Sequence, residues 1–123
     1  MRAFTKRKIT QFEDELDQLC NELIDRFSGD QVDLLPTYAQ KIPIIIIARL
    51  LGIPEEMSDK LLSWSNAMVA MYQARRTLEI EKIANKSAAE FRSYLLKYID
   101  KRRKNPKDDL LSNLIHAEEQ GEN

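Results

Sequence analysis

The sequence has few of the residues that build sheets, disulfide frameworks or metal sites. Its 123 residues include three glycines, four prolines, one cysteine and one histidine, and aromatic residues make up 7%. Few glycines and prolines mean few signals for the tight turns of hairpins. A lone cysteine forms no internal disulfide, which indicates a reducing compartment, with the cytoplasm as the default. Helix-forming residues such as Leu, Ile, Ala, Glu and Lys are plentiful, so we predict an all-α fold without a sheet.

The sequence also has no excess of charge of one sign and no long apolar run. Nineteen basic residues oppose twenty acidic residues, which leaves a net charge of −1. This balance argues against nucleic acid as a partner. The longest apolar run, residues 42–51, contains Arg49 and is far shorter than the ~20 residues of a membrane-spanning helix. The N-terminus lacks the apolar core of a signal peptide, so we expect no membrane contact.

The two residue types best suited to nucleophilic or metal chemistry each occur once. His116 has no second histidine with which to form a metal site, and we interpret it as a surface or half-buried residue. Cys20 lies on an apolar stripe beside Leu19 and Leu23, which predicts a buried, inert thiol. No glycine-rich phosphate loop or paired-carboxylate motif is present. We therefore predict no catalytic residue and no metal ligand in this chain.

Apolar residues recur at helical spacing along most of the chain. The pattern predicts five helices, at about residues 6–27, 33–51, 54–72, 78–104 and 108–119. Gly29 and Gly52 follow the first two helices and are predicted to be left-handed caps. Pro36 and Pro54 fall in first turns, where a missing N–H costs no hydrogen bond. Together the helices form a single segment over residues 1–123.

The apolar run "IPIIIIARLL" at residues 42–51 is ambiguous between strand and helix. Isoleucine favours strands, but the sequence offers no second strand to pair with, and an unpaired buried strand leaves its backbone unsatisfied. The run also ends at a glycine followed by Pro54, which is typical of a helix C-terminus. We predict one helix from Asp33 to Leu51, bent at Pro43, whose apolar sides are covered by the other helices.

Two further segments have both a plain and a functional interpretation. "KRRK" at residues 101–104 could be a docking patch for an acidic partner or nucleic acid, but cations are favoured at a helix C-terminus, and we predict a solvated helix end. "WSNAMVAMYQ" at residues 64–73 has methionines and aromatics at helical spacing. From the residues alone we interpret it as core, although soft methionines also suit a surface that faces a substrate.

The order of several motifs resembles a known family. The chain contains "AFTKRKI" (3–9), "LIDRF" (23–27), "VDLLPTYAQKIPIIIIARLLGIPEE" (32–56), "WSNAM" (64–68) and "RRKNPKDDLLSNLIHAEEQGE" (102–122) in succession. In this order and spacing they resemble the middle of a bacterial soluble cytochrome P-450, a haem-thiolate monooxygenase. The resemblance covers essentially all 123 residues and implies an internal segment from about helix C or D to helix H. Lys6 departs from the proline common in the family.

The resemblance implies a function for the parent protein rather than for this segment alone. The parent would use haem iron and O2 to oxidise a small apolar organic substrate, with electrons from a redox partner such as ferredoxin or flavodoxin. The haem-ligating cysteine and the propionate contacts would lie outside this chain, and Cys20 is not that ligand. The segment would supply scaffold and part of the substrate lid, with Met68, Val69 and Tyr72 as substrate-binding residues. As an isolated polypeptide we predict it to be inactive and prone to self-association.

Two other interpretations remain open at this point. The chain could be a self-contained helical interaction module without catalytic activity, using the amphipathic helix at residues 78–104 as its binding face. It could also be a truncated relative of the family that survives as a binding protein. A self-contained module should be monodisperse and melt cooperatively, whereas a segment that lacks its covering helices should expose apolar surface.

Overall fold

The computed structural model describes residues 6–121, apart from the side chains of residues 7 and 8. Over this range the chain forms five α-helices and no strand. The helices are α1 (Lys6–Asp25), α2 (Lys41–Leu51), α3 (Ser58–Val69), α4 (Leu78–Lys104) and α5 (Leu110–Glu119). A π-helical turn (Leu35–Ala39) precedes α2, and 3₁₀ turns (Glu55–Met57 and Ala70–Tyr72) flank α3. The predicted five-helix, all-α architecture is confirmed. The motif residues 3–5 and residue 122 lie outside the described residues.

Helix α1 packs through only part of its apolar stripe. Leu19 is fully buried and Leu23 is 3% exposed, whereas Ile9, Leu16 and Ile24 are exposed. The helix ends at Asp25, two residues before the predicted end. Gly29 does adopt a left-handed conformation, with φ of 81°, but it lies beyond the helix end and turns the following loop.

The predicted single helix from Asp33 to Leu51 is wrong. Asp33 does begin the segment, because its carboxylate accepts the N–H of Leu35 at 3.3 Å. The chain then widens into the π-helical turn, in which the N–H of Gln40 donates to the carbonyl of Leu35 at 3.0 Å. In a continuous α-helix the ring of Pro43 would collide with the carbonyl four residues earlier. The π-helical turn Leu35–Ala39 therefore replaces the predicted bend at Pro43, whereas Gln40 keeps helical backbone angles.

Helix α2 is the most apolar helix, but it is not covered on all sides as predicted. Ile44, Ile45 and Ala48 are buried in the core, whereas Ile47 is 48% exposed on the opposite face. A helix that is apolar on nearly all sides is normally surrounded by other elements. One side of α2 therefore has no covering element within residues 6–121.

Gly52 ends α2 as predicted, in a left-handed conformation with φ of 72°. The N–H of Ile53 donates to the carbonyl of Ala48 at 2.8 Å, and the N–H of Gly52 donates to the carbonyl of Arg49 at 3.0 Å. These two bonds form a Schellman motif, which satisfies carbonyls that a helix end leaves without partners. Ile53, only 4% exposed, then joins the core.

The end of α4 is attached to this cap by Arg102, which also forms a buried ion pair with Asp109. Arg102 is 5% exposed, and its guanidinium donates to the carboxylate of Asp109 at 2.8 Å and to the carbonyl of Gly52 at 2.6 Å. Tyr98 donates its hydroxyl to the same carbonyl, and its ring lies 4.8 Å below the Arg102 guanidinium. The other carboxylate oxygen of Asp109 accepts the N–H of Ser112 at 2.8 Å and caps α5.

The prediction that "KRRK" forms a solvated helix end is therefore wrong for Arg102. Lys101, Arg103 and Lys104 are exposed, as the interpretation requires. Position 102 instead faces inward, because the helical rotation from Tyr98 places Arg102 on the same buried side. Its charge is matched by Asp109 rather than by water.

Replacing Arg102 with leucine in the full-length protein should lower the free energy of unfolding by about 3–5 kcal/mol, because it leaves the buried Asp109 carboxylate without a counter-ion. Arg103→Leu is the matched control, since Arg103 is 45% exposed and forms only surface ion pairs, which contribute ~0–1 kcal/mol. Urea unfolding followed by circular dichroism measures both. Equal losses in the two variants would contradict the structural role of Arg102.

Candidate functional site

The candidate site lies at the junction of α3 and α4. Helix α3 tightens into the 3₁₀ turn Ala70–Tyr72, and residues 73–77 form an exposed polar loop. Thr77 begins α4 as its N-cap, with a side chain that accepts the N–H of Ile80 at 3.3 Å. Glu79 and Glu81 in the first turn add favourable charge at the positive end of the helix. The polar break and the start of α4 at Leu78 are confirmed as predicted.

The three predicted substrate-binding residues are close in sequence but differ in environment. Met68 is half-buried and packs against the core, whereas Val69 is 57% exposed and Tyr72 is 89% exposed. Leu78, at the start of α4, is 67% exposed. The structure therefore brings the three residues to one end of the helix pair without enclosing them. Their role in substrate binding stays a prediction.

An aromatic cluster fixes α3 to α4 below this junction. Trp64 is 5% exposed, and its ring centroid lies 5.7 Å from that of Phe91 and 5.8 Å from that of Tyr94. Tyr94 in turn stacks on Tyr98 at 5.8 Å. Aromatic pairs at these distances add stabilisation beyond the area they bury. The cluster continues toward the Arg102 network and holds the base of the junction rigid. The interpretation of "WSNAMVAMYQ" as core is correct for Trp64 but wrong for Val69 and Tyr72, which are exposed.

Glu90 is a polar anchor that the sequence did not reveal. Its carboxylate accepts the indole N–H of Trp64 at 2.9 Å and lies 3.5 Å from the Lys60 ammonium. The hydrogen bond from Trp64 lowers the pKa of Glu90, and the charges of Lys60 and Lys86 lower it further. Glutamate on an amphipathic helix gives no sign of such a bond, because its partner lies 26 positions away.

The residues considered for nucleophilic or metal chemistry do not form a site. The prediction that the Cys20 thiol is buried is wrong, because this residue is only half-buried in the C-terminal half of α1. A hydrogen bond with Cys20 raises the pKa of the Tyr38 hydroxyl. His116 is exposed on α5, with a ring nitrogen 2.8 Å from the side-chain amide nitrogen of Gln120. Within residues 6–121 no group of three or more histidine, cysteine or carboxylate side chains is placed to hold a metal ion.

None of the helices described between residues 6 and 121 combines the length and apolarity required to cross a lipid bilayer. The apolar helix α2 has 11 residues.

Comparison with known proteins identifies the class of fold. The chain is 37% identical over 121 residues to the polyketide biosynthesis cytochrome P450 PksS of Bacillus subtilis, covering 98% of this chain and 29% of that protein. It is 32% identical over 122 residues to mycinamicin IV hydroxylase/epoxidase of Micromonospora griseorubida, covering 98% of this chain and 30% of that protein. No family model matches the chain.

Solved structures give the same result. The myxobacterial cytochrome P450 CYP267B1, in complex with myristic acid, superposes with a TM-score of 0.87 and 30% identity, covering 98% of this chain and 30% of that structure. The chain is therefore homologous, in sequence and in helical fold, to a segment of bacterial cytochromes P450. It spans about 30% of the length of the relatives it matches, consistent with an internal segment. The resemblance predicted from the motifs is confirmed.

The Trp64–Glu90 bond should make the fluorescence of Trp64, the only tryptophan of this chain, sensitive to pH. The pKa of Glu90 is lower in the folded protein than in an unfolded chain. The ionised Glu90 carboxylate therefore stabilises the fold above the pKa of an unfolded glutamate, and this stabilisation is lost as the pH falls through the folded-state pKa. We expect an emission change with a midpoint below the usual glutamate range. Glu90→Gln should abolish it, and Glu81→Gln should not. A transition that survives in Glu90→Gln would contradict the assignment.

Proposed function

We propose that this chain is part of a haem-dependent monooxygenase that inserts an oxygen atom from O2 into a small organic substrate. The observation that carries the proposal is the match of 98% of the chain, at 37% identity, to a bacterial cytochrome P450. The TM-score of 0.87 to a second such protein supports it independently. The five helices would supply scaffold and one side of the substrate entrance.

The relatives support an apolar organic molecule as the substrate. By their names, one relative takes part in polyketide biosynthesis, a second is a mycinamicin IV hydroxylase/epoxidase, and a solved neighbour holds myristic acid. We propose that the parent protein acts in the cytoplasm and receives electrons from a redox partner such as ferredoxin or flavodoxin. Neither nucleic acid nor membrane is a proposed partner.

The α3–α4 junction is proposed to cover the bound substrate. Val69 and Tyr72 present apolar surface to solvent at the end of α3, and Met68 connects them to the core. Apolar groups on a short turn next to a polar loop suit a cover that closes over an apolar ligand. The Trp64 cluster would keep the helices beneath this cover in place.

The described residues do not fit the role of haem ligand. Cys20 lies inside α1, beside Tyr38, and not on a loop of the kind that the resemblance implies for the haem-ligating cysteine. We propose that the ligating cysteine and the propionate contacts belong to parts of the parent outside this chain. When bound, haem supplies the oxygen-activating chemistry. The contribution of this chain is to shape and cover the substrate site.

Truncation of the proposed lid should weaken substrate binding in the full-length enzyme. We expect Val69→Ala and Tyr72→Ala to raise KM about two- to fivefold, because each removes apolar surface that the closed lid would bury. Lys97→Ala, at an exposed charged position of α4 far from the junction, is the control. Steady-state kinetics on an apolar substrate found by spectral screening provides the measurement. A KM that changes no more than in Lys97→Ala would refute the lid assignment.

Large apolar side chains remain exposed on several helices of this chain. They include Ile9, Leu16, Ile24, Ile47, Ile83 and Leu96. Exposed apolar surface of this extent usually contacts another element or a partner. We propose that the rest of the parent covers it, and that the isolated chain self-associates through it.

The isolated 123-residue chain should therefore bind hydrophobic dyes or form oligomers, and it should show no stoichiometric thiolate-type haem spectrum. Dye fluorescence, light scattering and absorption spectroscopy after haem addition test these expectations. A monodisperse chain with a cooperative melt and no dye binding would favour the self-contained helical module instead. A thiolate-type haem spectrum would overturn the assignment of the ligand to another part of the parent.

A further inference from the structure

The loop at the α3–α4 junction carries positive charge that no neighbouring carboxylate balances. Arg75 and Arg76 are both exposed, and they are the only charged residues between Lys60 and Glu79. Neither forms an ion pair with a carboxylate described between residues 6 and 121, not even with Glu79 in the first turn of α4. The proposed lid function uses only apolar side chains, so it leaves these two guanidinium groups without a role.

Large apolar side chains lie on both sides of the two arginines in the chain. Tyr72, before them, is 89% exposed, and Leu78, after them, is 67% exposed. The loop between these residues is bounded by extended backbone at Gln73 and Thr77. Ligand sites commonly combine apolar surface with a few charged groups that fix the orientation of the ligand. The junction offers both kinds of group between residues 72 and 78.

The chemistry of the guanidinium group selects the kind of charge that the loop can bind. A guanidinium is planar, stays protonated, and can donate two parallel N–H bonds to one carboxylate. In water an exposed pair of this kind contributes little. When a cover closes over a bound molecule, the pair is partly removed from water and its electrostatic attraction increases. Arg75 and Arg76 would therefore act mainly in the closed state of the lid.

We propose that the substrate under the lid carries a carboxylate on its apolar body, and that Arg75 and Arg76 bind this carboxylate. This assignment rests on the proposed function, in which the α3–α4 junction covers an apolar organic substrate. The carboxylate accepts N–H bonds at the loop, and the apolar body extends past Tyr72 toward Met68, which packs against the core. The two arginines thereby determine which end of the substrate stays at the entrance.

The test is isothermal titration calorimetry of the full-length protein with n-decanoate, n-decanol and n-decyltrimethylammonium, whose decyl chains are matched in length. The quaternary ammonium has no lone pair to offer a metal ion. We expect n-decanoate to bind about five- to tenfold more tightly than n-decanol, because only the carboxylate pairs with the guanidinium groups. The cation should bind most weakly, since the two arginines repel it.

Variants locate the binding of the carboxylate. In the double variant Arg75→Gln/Arg76→Gln the preference for n-decanoate should disappear, whereas n-decanol should bind as in the wild type. Arg92→Gln is the matched control and should keep the preference. Arg92 is also exposed and without an ion pair among the described residues, but it lies ~20 Å further along α4 than Leu78. Equal melting temperatures show that the variants fold alike.

The outcomes separate this assignment from the proposed function on which it rests. If n-decanol binds as well as n-decanoate, or if the preference survives in the double variant or is lost equally in Arg92→Gln, the carboxylate assignment is wrong and the apolar substrate stands. Tightest binding of the cation would also overturn the assignment. Failure of all three compounds to bind would overturn the proposed apolar substrate together with it.

Discussion

The buried contact of Arg102 with Asp109 and the carbonyl of Gly52 is the interaction on which the arrangement of the helices depends. It joins the end of α4, the cap of α5 and the cap of α2 at one point. Gly52 is required there twice, for its left-handed backbone and because a Cβ would overlap the carboxylate of Asp109. Burial raises the pKa of Tyr98, which keeps its hydroxyl protonated as a donor to the same carbonyl. A buried charge is tolerated only when it is paired in this way.

The proposed lid depends on the packing of α3 against α4. The Trp64 cluster fixes α3 to α4, and the Tyr94–Tyr98 stack extends that contact to the Arg102 network. This pair of helices positions the turn Ala70–Tyr72 at the end of α3. A mobile cover needs such a fixed base, because otherwise its motion would disturb the core.

The apolar surface that remains exposed is consistent with the share of its relatives that the chain spans. The chain spans about 30% of the length of the bacterial cytochromes P450 that it matches. Helices α1, α2 and α4 each retain exposed apolar side chains. A helix such as α2, apolar on nearly every side, is stable in water when other elements surround it. The partly covered α2 and the stripe on α1 support the proposal that a longer parent protein is the unit that folds and functions.

The sequence by itself determined the all-α class, the limits of α4 and the cap at Gly52, because helical periodicity and glycine conformation act within a few residues. The order and spacing of the motifs also indicated the family that the chain resembles. Contacts between distant positions were decided only by tertiary structure. Arg102 reads as one more cation in "KRRK" until Asp109 and Gly52 approach it, and Glu90 pairs with a tryptophan 26 positions away. Local patterns do not encode these pairings, since they depend on which helix faces meet.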